Sequence, residues 1–163
     1  MKLCPDEGGS LTRTTSSGLE WNPNISVGVF RFGDRIDRYV STMGLTEFPD
    51  EYDEEIGWKV YGWSEPELRI CVEDDKIVSI ACYDECWYRG INLIGTDISK
   101  AIACIGSDPE DDPEDFDVGG ETQIVFEFDE VDAQLWVKEG IVIAVICGFF
   151  PKEESPDPVV NRG

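Results

Sequence analysis

The chain has 163 residues, with 35 Asp and Glu against 13 Lys and Arg, a formal charge of −22, and no histidine. Lys and Arg supply the attraction to nucleic-acid phosphates and anionic lipid, so this balance argues against direct binding to either. Without imidazole there is no Ser-His-Asp or Cys-His triad and no histidine-ligated zinc.

In chain order, the first element is a segment without structure. Residues 1–22 are rich in Gly, Ser and Thr and are expected to be a flexible N-terminal segment. Met1 to Ser10 contains Cys4-Pro5-Asp6-Glu7 where a targeting segment would need an apolar run. The longest apolar stretch, Gly140 to Phe150, falls short of the roughly 18–20 residues that span a bilayer. A cytoplasmic protein with no membrane partner is the expectation. Hydrophobic residues are 41% of the chain, enough for a core, so it is not a disordered acidic tail.

The rest reads as a tandem repeat. Gly28-x4-Gly33-x10-Gly44 recurs as Gly90-x4-Gly95-x10-Gly106, an offset of 62. Lys59 to Cys82 matches Ile124 to Cys147 at an offset of 65, pairing Tyr61 with Phe126, Trp63 with Phe128 and Cys82 with Cys147. Repeat one is expected over 23–86 and repeat two over 87–150, together one compact domain. The prolines of 151–163 predict a flexible C-terminal tail.

Each repeat predicts an extended segment (Ser26–Phe32, Arg89–Ile94), a helix (Asp34–Met43, Thr96–Ile105), an acidic loop and three strands. Ile36, Val40 and Met43, like Ile98, Ile102 and Ile105, form one helical stripe. Asp34 and Thr96 are N-cap types, and Gly44 and Gly106 stand where left-handed C-caps belong. The strands are Lys59–Trp63, Leu68–Val72 and Ile77–Cys82, then Ile124–Phe128, Ala133–Val137 and Ile141–Cys147. The predicted fold class is α+β: two tandem repeats, each a helix packed on an antiparallel β-meander. Ile141–Cys147 is apolar on both faces, which predicts a central strand or an interface, such as a homodimer through 141–150.

The six cysteines hold no C-x-x-C. Cys82-x3-Cys86 lacks the second pair of a four-cysteine site, and most of the cysteines read as small buried hydrophobes.

A two-fold repeat of a glycine-bounded helix with a β-meander, over 25–150, resembles β-lactamase-inhibitory-protein-like and SmpA/BamE-type modules. That resemblance implies a binding protein whose open sheet face and loops grip an enzyme, although the secretion signal of those families is missing. In size and composition the chain is also similar to bacterial toxin immunity proteins.

The candidate site is acidic. Glu47 to Glu55 holds six carboxylates and Asp108 to Asp117 seven, in equivalent loops. The blander reading is two solvated loops that maintain solubility. The functional reading is a surface for a basic partner, carried by Asp108, Glu110, Asp111, Asp112, Glu114, Asp115, Asp117 and Glu127 of the second repeat. Asp50, Glu51 and Asp53 of the first repeat would assist. Trp136 lies out of phase with Leu135 and Val137 and is the candidate exposed anchor. Trp87 and Tyr88 either join that anchor or cement the two units together.

Asp115-x-Asp117-x-Gly119-Gly120 begins like a calcium loop, but position twelve is Phe126 where a bidentate Glu belongs. No metal, cofactor or catalytic residue is predicted, and no P-loop, G-x-G-x-x-G or G-x-S-x-G occurs. The expected function is an acidic, non-enzymatic inhibitor that occludes a basic protein, foremost an immunity protein against a nuclease-type toxin. The alternatives are a phage-type nucleic-acid mimic that blocks a host nuclease, and a divalent-cation-binding or structural repeat module.

Overall fold

Strict alternation decides the long strands. Leu68, Ile70 and Val72 alternate with Arg69, Cys71 and Glu73, and Ala133, Leu135 and Val137 with Gln134, Trp136 and Lys138, so an extended chain has one apolar side. A computed structural model describes residues 18–109 and 113–148. Most of the N-terminal segment and all of the C-terminal tail expected above lie outside these residues. Leu19 and Trp21, at the end of that N-terminal segment, are buried in the core.

The first half contains β1 (Trp21–Asn22), β2 (Ser26–Val27), β3 (Phe30–Arg31), α1 (Asp37–Val40) and β4 (Thr46–Glu47). A 3-10 turn at Pro49–Glu51 leads to β5 (Trp58–Ser64), β6 (Glu67–Glu73) and β7 (Lys76–Cys82). The second half contains β8 (Trp87–Tyr88), β9 (Ile91–Asn92), α2 (Ile98–Ile105), β10 (Glu114–Val118), β11 (Glu121–Phe128), β12 (Ala133–Lys138) and β13 (Ile141–Gly148).

The expected α+β arrangement of two helix-on-meander repeats is corrected by this architecture. The protein is mainly β, and its two meanders merge into one antiparallel sheet of eight strands, ordered β10-β11-β12-β13-β7-β6-β5-β4. The merger follows from β7 and β13, which are too apolar to lie at an edge. They pair with each other, Cys82 opposite Val145 and Ile80 opposite Cys147, about the central pair Ala81–Ile146. The two members of that pair stand 65 residues apart. β13 therefore has both edges occupied, by β12 and β7.

Equivalent backbone bonds tie the pre-helix loop of each half to the start of that half's own inner strand, β7 or β13. Gly33 N–H donates to the Ile77 carbonyl and Gly95 N–H to Val142, both at 2.8 Å. Ile36 N–H donates to Asp75 and Ile98 N–H to Gly140, at 2.8 and 2.9 Å. These bonds also explain why the helices are short. Asp34 to Ile36 is committed to β7, so the expected Asp34–Met43 helix shrinks to Asp37–Val40. Asp34 does not cap it: its carboxylate accepts from Tyr39 Oη at 2.6 Å and Arg38 at 3.0 Å. The Tyr39 hydrogen bond, then Arg38, holds the Asp34 carboxyl below its ordinary range. α2 begins after Asp97, whose carboxylate accepts from Ser99 N–H at 2.9 Å, and it ends at left-handed Gly106. Thr96, the expected cap, instead donates its hydroxyl to the Asn92 carbonyl.

Three hairpins close on two-residue turns with positive φ, Asp74-Asp75, Gly119-Gly120 and Glu139-Gly140, the geometry that matches strand twist. The core lies on the inner face of the large sheet, where Leu68, Ile70, Ile80, Leu135 and Val145 are fully buried. Phe30 of the small three-stranded sheet packs edge-on against Tyr39 and Trp63, at 5.2 and 5.4 Å between ring centroids. No helix among the described residues is long and apolar enough to cross a membrane.

Candidate functional site

Directly paired residues of an antiparallel sheet point to the same side, so the register defines the outer face. Trp136 pairs with Val125 and Ala144, and Phe116 with Gln123. Phe116 and Trp136 meet there with ring centroids 5.3 Å apart and cover Val125, which is only 4% exposed. Phe116 itself is 40% exposed, and Val118 beside it 43%. Trp136 is half-buried, and an aromatic pair with one exposed ring is of the residue type that anchors protein interfaces.

Polar groups position this pair. Trp136 Nε1–H donates to Gln134 Oε1 at 3.2 Å, and Gln134 Nε2–H donates to Glu127 Oε2 at 3.0 Å. Glu114 pairs with Val125 and so flanks the aromatics on the same face. Nearby Lys138 is held by Glu121 at 2.8 Å, which raises its pKa above the ordinary lysine value. In the other half of the face, Arg69 bonds Glu51 at 2.9 Å and Glu67 at 3.6 Å, and stacks 3.9 Å above the Phe48 ring. Lys138 and Arg69 are thus neutralised locally; Lys76, opposite Glu73 at the start of β7, is a further cation of this face, remote from the Phe116–Trp136 contact that Glu114 and Glu127 flank.

The expected site residues divide accordingly. Glu114, Glu127 and Trp136 come together on the outer face. Asp115 and Asp117 lie on the adjoining edge strand, exposed, and their side chains alternate to the opposite face. Asp108 is exposed in the turn after α2; Glu110, Asp111 and Asp112 lie outside the described residues. Asp50, Glu51 and Asp53 sit at the far end of the sheet, where Glu51 serves Arg69. The Asp53 carboxylate accepts from the Glu55 and Ile56 amides, a local turn. Tyr88 is buried against Trp21 at 4.8 Å, and half-buried Trp87 donates its indole N–H to Glu85. These two join the hairpin to the core, away from the outer face.

Sequence reasoning missed Phe116 because it placed 108–117 in a loop. The signal was present: Phe116 and Val118 alternate with acids and run into Gly119-Gly120, a two-residue hairpin turn. Among the described residues no group of three or more Cys, Asp or Glu side chains converges to hold a metal. A separate cavity of about 340 Å³, lined by Leu19, Val29, Phe30, Met43, Trp63 and Pro66, is apolar and presents no cluster of convergent polar groups.

The cysteines are mostly core. Cys82, Cys86 and Cys147 are fully buried, with 4.0 Å between the Cys86 and Cys147 sulfurs. Cys71, Cys82, Cys86 and Cys147 are free, and Cys104 is disulfide-bonded. Cys71 lies on the outer face beside Arg69, where burial, then Glu51 and Asp53, raises its thiol pKa to about 11. Its alkylation by iodoacetamide at pH 8 is therefore expected to be about a hundredfold slower than that of a free thiol. The rate should rise with pH toward 11. An ordinary rate at pH 8, read by peptide mapping, would contradict the packing described for this face.

No protein-family model matches the chain, and no curated protein does. Among solved structures, it is similar to a cysteine-rich secretory protein from Staphylococcus aureus, with 20% sequence identity and a TM-score of 0.46. The match covers 82% of this chain and 51% of the other, so the chain spans about half the length of that protein. The resemblance to β-lactamase-inhibitory-protein-like and SmpA/BamE-type modules, and to immunity proteins, is corrected by these findings. No family model supports it, and the glycine-bounded helices that suggested it are two short segments on one merged sheet.

Proposed function

We propose that the chain is a non-catalytic binding protein whose outer sheet face docks and occludes a basic protein. The observation that carries this reading is the Phe116–Trp136 contact near the β10 edge of the outer face, Phe116 exposed and Trp136 half-buried, flanked by Glu114 and Glu127. Apolar contact supplies affinity at such a patch, while the flanking carboxylates steer a cationic partner and speed encounter. Neutralisation of a nuclease-type toxin is the specific form of this proposal, since a basic cleft that accepts nucleic acid would accept this rim.

A cytoplasmic setting belongs to the same proposal. The four free cysteines support it, and the Cys104 disulfide is the feature that weighs against it.

The test is kinetic. A cationic partner captured with the chain is purified, and its association is followed by stopped flow as salt is raised. The association rate is expected to fall about tenfold between about 20 and 300 mM NaCl. Trp136→Ala should speed dissociation by about tenfold or more. Association indifferent to salt, or binding that survives reversal of Glu114, Asp115, Asp117 and Glu127 to lysine, would overturn the reading.

A further inference from the structure

The large sheet ends in two very different edges. β4 is two residues long, whereas β10 offers five, all exposed, and among the described residues it is paired on one side only. The Gly119-Gly120 turn determines which backbone groups of β10 are free. In a two-residue hairpin the pair that closes the turn, here Val118–Glu121, is hydrogen-bonded, and the bonding alternates from there. Glu114, Phe116 and Val118 therefore bond β11, while the N–H and C=O groups of Asp115 and Asp117 point outward from the sheet.

An open edge of this kind is a template for another strand, and proteins usually blunt it with lysine, proline or a bulge. β10 contains no lysine or proline, and its register with β11 runs without a break. What it has is aspartate at both outward-bonding positions. A second copy of β10 would place acid against acid and be repelled. A strand with Lys or Arg opposite Asp115 and Asp117 would make both backbone bonds and both ion pairs. The intervening residue of that strand would face outward beside Phe116 and extend the Phe116–Trp136 patch.

We propose that β10 is a docking edge to which the basic partner adds an extended segment of alternating basic and apolar residues. This rests on the reading of the outer face as a surface for a cationic protein, and adds the form of the partner's contact: a β-strand bonded to the Asp115 and Asp117 backbone.

The probe is acetyl-Lys-Val-Lys-Val-Lys-Val-Lys-amide, with the full chain observed by NMR amide exchange and peptide affinity by fluorescence anisotropy. Saturating peptide is expected to slow exchange at Asp115 and Asp117 by about tenfold or more, with Phe116 protected before and after. N-methylation of the lysine amides, which face β10, should abolish binding; N-methylation of the valine amides should leave it intact. Asp117→Pro, which removes one outward N–H at a position where an edge strand tolerates proline, should weaken the peptide about tenfold. Equal affinity of the two N-methylated series, with no protection at Asp115 and Asp117, would overturn the strand docking while leaving charge-driven binding of a basic partner in place. Failure of both this peptide and the captured cationic partner to bind at low salt would overturn the two proposals together.

Discussion

Alanine in place of Gly62 is expected to cost the fold about 3–4 kcal/mol and to lower the thermal midpoint by about 10 °C. Gly62 lies in β5 opposite Arg69 of β6, and a Cβ there would stand 1.9 Å from the Leu68 carbonyl oxygen and 2.9 Å from its carbon. Both atoms are backbone, so no rotamer change relieves the clash; β5 and β6 must separate. The same carbonyl accepts from Arg69 Nη1 at 3.1 Å, and Trp63 O accepts from it at 2.8 Å. Separating the strands therefore also loosens the Arg69–Glu51 pair on the outer face. The control is Gly57→Ala, where a Cβ meets nothing within 4 Å and only a positive φ of 78° opposes the side chain. That change should cost about 1 kcal/mol. A Gly62→Ala midpoint no lower than that of Gly57→Ala would show that the strands are not so close.

The second large effect separates two phenylalanines. Phe30→Ala is expected to destabilise by about 3–5 kcal/mol, because Phe30 is fully buried between Tyr39 and Trp63 and the rigid surroundings leave a cavity. Phe116→Ala should cost less than about 1 kcal/mol, since that ring is 40% exposed and touches chiefly Trp136. For partner binding the order reverses: Phe116→Ala should weaken it about tenfold with little change in melting. Denaturant titrations and binding curves on the two variants decide the matter. A Phe116→Ala chain that melts as early as Phe30→Ala would mean that the ring is structural.

The six long strands were legible, β6 and β12 from alternation and β13 from a run that is apolar on both faces. Leu68–Val72 and Ala133–Val137 carry the period in their side chains, and a half-buried strand needs no information beyond that. Trp136 was legible for the same reason, because its parity opposes that of Leu135 and Val137. β10 was not, because five acids between Asp108 and Glu114 resembled a solvated loop and masked the short alternation at Phe116 and Val118. The helices were overread. Asp34 and Ile36 carry a helical pattern, but their backbone groups bond β7, and a competing partner 40 residues away has no local signature.

By itself, then, the sequence determined where the six long strands lie, which side of β6 and β12 is apolar, and that any partner must tolerate a strongly acidic chain. These follow from side-chain period, turn chemistry and charge, all properties of near neighbours. Only the tertiary structure decided that β7 and β13 join two meanders into one sheet, since pairing between residues 65 apart depends on which edges remain free. That joining places Glu51 and Asp53 at one end and Phe116, Trp136 and the β10 edge at the other. It thereby turned an acidic composition into one particular edge and face.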